Sequence, residues 1–522
     1  MINNLNKIKE IKDGQNIKFS TKNPIVLTSF TDEEYVYVSN NDSSLKKIFV
    51  NLKNRKNIVL DFCGHTLEFK GRITPFYING CKNVTVKNLN VKFSNHYYFQ
   101  ALIKKIDGKK IFIEPTTDDN FTVENGRIIL DYGDESLDYG NKTVFIQEFE
   151  TNPVRVAKKS GIRITTLGGD LLGNAETYSF SDDKKYIECS INPPFTEGNT
   201  LCVFCENRIS DAFVINQSEN IKLQNINIYN SPAMGVVCQV SKNIFLDNVN
   251  VVRDKEDKHI ITSLADATHF TNCVGKVVIK NCTFENMNDD GTNIHGMYTV
   301  VKDVLDKSVD VEFKHFQQFG IDIYREFDKV VFLDKESKVA KSSGQIIAVE
   351  KISHCVTRLT FNEQINVNVG DVCENISLSP KVRISNCKTG GNRPRGFLIA
   401  ANKKVLVENC EFYNSECGVG VFADTDFWFE AGAVSDITVK NCIFSSNYGG
   451  ESSAISVKPS VKKGQNFFNG KITVKNCKFN CDYGDAVNVF NTEKVVLKNN
   501  VALVSGNPVE FLDKVKLTDC GN

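Results

Sequence analysis

The sequence predicts an all-β protein: a right-handed parallel β-helix carrying two inserted antiparallel, barrel-like β modules. Three observations lead there. A short phrase, a β-branched strand followed by Asn and a second short strand, recurs along the chain. Its copies are spaced by about one solenoid coil. The series is broken twice by long strand-rich stretches, and the same phrase resumes after each.

The phrase first reads NVTVKNLNVK at 83–92, within an expected N-terminal part of the helix over residues 1–100. It returns as NIKLQNINIY at 220–229, NIFLDNVNVV at 243–252 and KVVIKNCTFE at 276–285, in an expected second part over 206–299. KVRISNCKTG, KVLVENCEFY, DITVKNCIFS, KITVKNCKFN and KVVLKNNVAL complete it within 377–522. The shared residues are Asn88, Asn225, Asn248, Asn281, Asn386, Asn409, Asn441, Asn476 and Asn499. Asn225 to Asn248, Asn386 to Asn409 and Asn476 to Asn499 are each 23 residues. A period of ~20–25 with two short strands fits a β-helix, whose coils stack ~4.8 Å apart. Leucine-rich repeats share the period but need Leu at fixed places and a helix. Asn at one turn of every coil can bond its neighbours above and below and satisfy turn backbone. Cys282, Cys387, Cys410, Cys442 and Cys477 follow that Asn and read as small apolar fillers of a narrow core rather than as metal ligands.

The gaps are read as the inserted modules, over 101–205 and 300–376. The first holds Asp107-Gly108 and Asn125-Gly126, each a hairpin dipeptide between β-formers. The second holds VDVEF, KVVFL, GQIIAVE and VTRLTF. Their outer faces offer surface for a homodimer.

Composition narrows the function classes. The 522 residues carry 63 Lys and Arg against 63 Asp and Glu, a net charge of zero. Nucleic acid is therefore not an expected partner, and no polybasic segment points to a membrane surface. No run of ~18 apolar residues suggests a membrane span. The start, MINNLNKIKEIKDGQNIKFS, lacks the apolar centre of a secretory signal. With 17 Cys, an odd number, the expectation is reduced thiols and a cytoplasmic protein, or a secreted or cell-surface one if a leader has been removed.

A scaffold of this kind acquires function from a site. The window 264–298 contains Asp266, His269, Asp289, Asp290, Asn293 and His295. Asp266 precedes Asp289 by 23 residues and Asp290 by 24, which is one coil, so the three carboxylates should meet on one patch of the outer face. Like charges held close raise at least one pKa, which is how a site keeps an acid beside a base at neutral pH. Glycoside hydrolysis needs that division of labour. A solvated turn or a Ca²⁺ site is the alternative reading. Spacing leaves open inversion, which needs carboxyls ~6.5–9.5 Å apart, and retention, which needs ~5–5.5 Å.

The motifs SPAMGVV (231–237), ADATHF (265–270), NDDGTNIHG (288–296), NRPRGFLI (392–399) and DTDFWFEAGAVSDI (424–437) resemble glycoside hydrolase family 110. These are α-1,3-galactosidases, including enzymes that cleave the blood-group B antigen. The motifs follow in the family's order, and the insertions fall where its barrels fall. The Asp followed one coil later by Asp-Asp also resembles the polygalacturonases. The resemblance implies an exo-acting, inverting hydrolase that uses no metal or cofactor. Its partner would be an oligosaccharide or glycoconjugate ending in α-galactose, blood-group B or linear Galα1-3Gal. It implies Asp289 as general acid, with Asp266 and Asp290 sharing water activation; Asp289 and Asp290 are interchangeable at this level. Gly291 departs from the family, where Ala is common.

His269 and His295 would then bind sugar hydroxyls or orient an Asp, and Asn293 would bind substrate. Arg395, with Arg393 beside it, would contact sugar or hold a carboxylate ionised. Trp428, the one Trp, would be a platform for the apolar face of galactose beside Glu430, which would bind hydroxyls. Met234 would line the floor. Structural readings compete for each: turn hydrogen bonds for the histidines, surface ion pairs for the arginines, a packed loop anchor for Trp428. A polygalacturonase-like hydrolase and a non-catalytic glycan-binding β-helix are the competing functions.

Overall fold

A computed structural model describes residues 8, 10–19, 25–28, 30, 32–138, 143–152, 154–157, 162–167, 177–189, 195–205, 208, 210–413, 417–445, 453–461 and 466–521. The first seven residues of the chain start and Glu206 at the first expected module boundary lie outside them.

The recurrent phrase forms stacked parallel strands. One apolar column can be followed from coil to coil by strand register: Ile58, Val84, Ile221, Ile244, Val277, Val382, Val405, Ile437, Ile472 and Val495. Two of its steps, Val84 to Ile221 and Val277 to Val382, skip the gaps in the repeat. Alternation in these strands sends one side chain of each pair inward, so the coils share one continuous core. Phe412, Phe444 and Phe479 stack through it at 4.7 Å between centroids. The five Cys that follow ladder Asn residues are buried beside them with their thiols free.

The ladder Asn residues have a second job besides hydrogen bonding. All nine sit at φ between 53° and 58°, the left-handed region that Asn tolerates better than other L-residues. Each turn therefore needs Asn for its backbone, and the amide stacks as a consequence. Asn225 Nδ2 donates to Asn88 Oδ1 at 3.0 Å, and Asn409 to Asn386 at 3.3 Å. Two rungs end on aspartate: Asn88 donates to Asp61, and Asn281 donates to Asp247 instead of Asn248.

Both gaps fold as closed sheets. In the first, Thr143–Thr151 pairs on one side with Ile162–Leu167 and on the other with Thr200–Cys205. The ring continues through Tyr98–Asp107, Lys110–Pro115, Tyr186–Cys189 and Thr177–Phe180. The Asp107-Gly108 and Asn125-Gly126 dipeptides make the hairpin turns expected of them. Pairing starts at Tyr98, slightly before the expected start. In the second gap, Thr292–Val304, Ser308–Glu312, Val356–Phe361, Ala340–Lys351, Lys329–Leu333 and Val372–Asn375 close an antiparallel ring. Thr292–Val304 belongs to both architectures. Its first residues stack parallel between Thr268–Thr271 and Arg395–Ile399, and its later ones are barrel strand.

The first barrel is pinned to the coils by a His–Asp cluster. His259 lies between Asp257 (Nδ1 to Oδ1, 2.6 Å) and Asp119 (Nε2 to Oδ2, 2.7 Å), and Asp119 belongs to the barrel module. The His96 ring stacks on His259 at 3.3 Å and meets Asp257 Oδ2 at 3.2 Å. Among the described residues, no helix is long and apolar enough to cross a membrane.

Candidate active site

The site is built where consecutive coils present equivalent turns. Val236, Thr268, Thr292 and Phe397 are in parallel register. Asp266 and Asp290 each stand two residues before such a position, so they stack, as the 24-residue spacing requires. The Asp290 N–H donates to Asp266 Oδ1 at 3.1 Å, and the Ala267 N–H to the Asp290 carbonyl at 2.9 Å. One coil on, Arg395 grips Asp290 with two parallel hydrogen bonds of 2.8 Å. Coil stacking is tight here. A Cβ on Gly291 would lie 2.4 Å from Thr389 Oγ1 and 2.5 Å from the Gly396 carbonyl, so this chain requires glycine at the position where it departs from the family.

Asp289 turns the other way, toward a pocket of about 270 Å³. Its carboxylate is 23% exposed, whereas those of Asp266 and Asp290 are 4% and 1% exposed. Arg208 Nη2 reaches Asp289 Oδ2 at 3.3 Å. Oxygens of the three carboxylates lie within 4.8 Å of one another.

Electrostatics follow from this burial. Asp266 is pushed well above the ordinary carboxylate range by desolvation, then by the charge of Asp289; Arg208 opposes the shift. Asp290 is pushed up by desolvation and by both neighbouring acids, with Arg395 as counterweight. Both shifts favour the protonated form of the buried pair, and the two acids titrate together rather than singly. Burial opposes the charge on Arg395, but Asp290, Asp289 and Glu430 keep its pKa above its ordinary value. The donor set fits a Ca²⁺ ion poorly. Two guanidinium groups already hold these carboxylates, Arg395 on Asp290 and Arg208 on Asp289, and their positive charge opposes a second cation.

The other sequence candidates divide. His269, Asn293, Arg395, Trp428, Glu430, Arg393 and Met234 all line the pocket. His295 does not; it lies behind His269, its side chain fully buried, with Nε2 3.0 Å from His269 Nε2 and Nδ1 2.6 Å from the Gly296 carbonyl. It can position a neighbour, but it has no face toward a sugar. Glu430 is held by Asn40 at 2.9 Å and Asn293 at 3.2 Å. Its strand pairs with Gly296–Met297, which fixes it to the coil that carries Asn293. Trp428 stands on a loop folded around Asp424, whose carboxylate accepts the N–H groups of Phe427, Trp428 and Phe429. The second barrel supports this loop: Gln318 donates to the Trp428 carbonyl at 2.7 Å, and the His315 ring packs on the indole at 4.6 Å. Asp426 faces away and accepts from Ser460.

Two residues of the site escaped the sequence reading, Arg208 and Asn40. Arg208 lies three residues past the last strand of the first barrel, Thr200–Cys205, and reaches Asp289 from there, whereas Arg395 opens a β-helix strand, Arg395–Ile399, and reaches Asp290. Asn40 sits at φ 56° in an Asn-Asn-Asp turn of the N-terminal segment. Nothing in the repeat links that segment to the site.

A larger cavity, about 350 Å³, lies between the N-terminal coils and the first barrel, lined by Lys47, Lys70, Arg72 and Glu135. Its carboxylates are already tied, Glu135 to Tyr97, Asn95 and Arg72 and Asp134 to Lys70.

Residues 308–373, within the second barrel, match the family model described as GLAA-B beta-barrel domain II. An exopolygalacturonase from Thermotoga maritima aligns over 98% of this chain and 83% of its own at 10% identity, with a TM-score of 0.40. The polygalacturonase from Erwinia carotovora aligns over 99% and 93% at 12% identity, with a TM-score of 0.37. Among curated proteins, α-1,3-galactosidase B of Bacteroides thetaiotaomicron is 25% identical, covering 82% of this chain and 70% of its own. α-1,3-Galactosidase A of Shewanella woodyi is 31% identical over 456 residues, covering 83% of this chain and 71% of its own. With that relative, the matching barrel and the motif order, the chain belongs to the α-1,3-galactosidase family of glycoside hydrolases, glycoside hydrolase family 110.

Proposed function

We propose that the protein is an exo-acting α-1,3-galactosidase that removes terminal α-galactose from blood-group B or linear Galα1-3Gal glycans with inversion. The observation that carries this is the division among the three acids. All three line the pocket, but Asp266 and Asp290 are buried at its floor, held by His269 and Arg395, and Asp289 is the most exposed of them. Galactose would enter with its apolar face on Trp428 and its hydroxyls toward Glu430, Asn293 and His269. Exposed Phe427 and Phe316, packed with His315 beside Trp428, give the rest of the glycan an aromatic rim on which to emerge. Asp289 protonates the leaving oxygen as the glycosidic bond breaks. Asp266 and Asp290 hold the water that attacks the anomeric carbon and take its proton. Arg395 fixes Asp290 for that task, and Arg208 stabilises Asp289 once it has given up its proton.

One observation favours a second reading. The approach of the carboxylate oxygens, within 4.8 Å, is below the ~6.5–9.5 Å usual for inverting pairs and nearer the retaining range. Retention would need Asp266 or Asp290, both in the pocket lining, to attack carbon in place of water. NMR of the first-formed sugar separates the two. β-Galactose appearing first supports inversion, and α-galactose appearing first overturns it. Asp289→Asn, assayed on an α-1,3-galactoside, is expected to lose ~10³-fold in kcat, within the range of acid–base steps. Wild-type inactivity on every α-galactoside would leave a glycan-binding β-helix as the better description.

A further inference from the structure

The histidine pair behind the acids fixes where a proton rests. The Gly296 carbonyl can only accept, so His295 Nδ1, 2.6 Å away, carries a hydrogen. Burial lowers the pKa of His295, so the ring is neutral and its Nε2 is a bare lone pair. His269 Nε2 lies 3.0 Å from that lone pair and must donate to it. His269 is likewise buried, which pushes it down to about 4 and keeps it neutral. Its Nδ1 is then the bare nitrogen, 2.7 Å from Asp266 Oδ2. A hydrogen bond there needs the carboxyl as donor. Glu430 faces His295 Nε2 only at 3.5 Å, with that oxygen already taken by Asn40 and Asn293.

We propose that Asp266 rests as a carboxylic acid donating to His269, and that His269 is the positioning residue that receives this proton when Asp266 takes one from the attacking water. This deepens the galactosidase reading and rests on it for the reaction step. As water attacks, one of its O–H bonds breaks and the proton bonds to Asp266 Oδ1, which keeps a free lone pair beside the Asp290 N–H. The Oδ2–H bond breaks and its proton passes to His269 Nδ1. The water oxygen pair forms the new bond to the anomeric carbon, the glycosidic C–O pair leaves with its oxygen, and that oxygen takes the proton of Asp289. The enzyme ends with neutral Asp266, a His269 imidazolium and an Asp289 carboxylate, and one proton moving from the first side to Asp289 resets it.

The charged and titratable groups around His269 suit this step. Asp266 comes from its own turn, His295 from the next coil, Glu430 from the Trp428 loop, and Asp289 and Arg208 from across the pocket. Glu430 and Asp289 favour an imidazolium at His269, and Arg208 opposes it. Asp289 becomes fully charged in the same step.

Histidine-selective ¹⁵N NMR on the intact protein reads the resting state directly, with His269→Asn and His295→Asn for assignment. At neutral pH His269 is expected to carry its hydrogen on Nε2 and His295 on Nδ1. A His269 seen with hydrogen on Nδ1, as neutral ring or cation, overturns the proposal. His269→Asn also tests the step, because its amide still bonds Asp266 but takes no proton. Its kcat on an α-1,3-galactoside should fall ~10²-fold with KM little changed. The acid limb of its pH profile should move to higher pH, since Asp266 must now ionise alone among acids. An unmoved limb in an active, folded variant overturns the step while leaving Asp289 and the galactosidase reading intact. A wild type that cleaves no α-galactoside overturns that reading, and the resonances still decide the resting proton.

Discussion

Two places in this molecule set a pair of histidines against aspartate, and only one of them favours a charged ring. At the active site His269 has Asp266 at one nitrogen and His295 has Glu430 no nearer than 3.5 Å, desolvation is the largest influence, and both rings stay neutral. At the barrel junction His259 has a carboxylate at each ring nitrogen. Burial opposes its charge there too, but Asp119 and Asp257 outweigh burial and raise its pKa. Asp257 and Asp119 are lowered in return, against their own desolvation, by hydrogen bonds to the histidines. His96, stacked on His259 with one carboxylate contact, is again lowered by burial. Charge in a buried imidazole thus depends on whether both nitrogens find acceptors. The neutral pair serves proton transfer; the charged one is a fixed clamp.

The largest expected effect breaks the neutral side. Asp266→Asn should lose ~10³-fold in kcat, about 4 kcal/mol of barrier. Its melting temperature at pH 7 should nonetheless match or exceed the parent's. Asp266 has a folded pKa above its unfolded ~3.9, so its favourable contribution is complete below that pH and is lost as pH rises through the folded value. Removing it should help most at neutral pH and not at all near pH 4. Melting curves across pH check this, and a large drop at pH 7 would contradict it.

Breaking the charged side should act on stability and spare catalysis. His259→Gln leaves Asp119 and Asp257 facing each other and should cost ~3 kcal/mol. A raised histidine pKa stabilises fully below ~6.5 and fades as pH rises through the folded value. The lowered aspartates lose their contribution as pH falls through ~3.9 and below. The parent–variant gap should therefore be widest near pH ~5–6. Denaturation over a pH series reads it, and kcat per folded molecule should be unchanged.

Smaller effects sharpen the contrast between site and scaffold. Trp428→Ala should raise KM ~10-fold, consistent with loss of one aromatic contact worth ~1 kcal/mol beyond its area. Asn409→Ala should cost about 1–2 kcal/mol, because Ala at positive φ is strained and the amide bond to Asn386 is lost. Asn409→Gly should cost less, which separates backbone strain from ladder hydrogen bonding.

Much of the machinery was legible because a β-helix turns sequence spacing into distance. The interval from Asp266 to Asp290 is one coil, and the Asp290 N–H meets the Asp266 carboxylate as that predicts. Trp428 and Glu430 could be suspected from residue type, but the placement of Trp428 rests on Gln318 and His315 of the second barrel, and that of Glu430 on Asn40 and Asn293. The place of His295 behind His269 was hidden for a related reason. Strand alternation tells which way it points along its coil, but not that His269 of the coil before would stand between it and the pocket.

The sequence by itself determined the coil, since a repeated apolar pattern with Asn at each left-handed turn has one way to stack. It also determined that Asp266, Asp289 and Asp290 share a neighbourhood. Tertiary structure alone decided the protonation states, the arrival of Arg208 and Asn40, and which carboxylate Arg395 would grip. The protonation states depend on burial and on partners such as Arg208, Asn40 and Arg395 that arrive from distant segments. No local pattern encodes the dielectric around a carboxylate, which is set only when separate parts of the chain close over it.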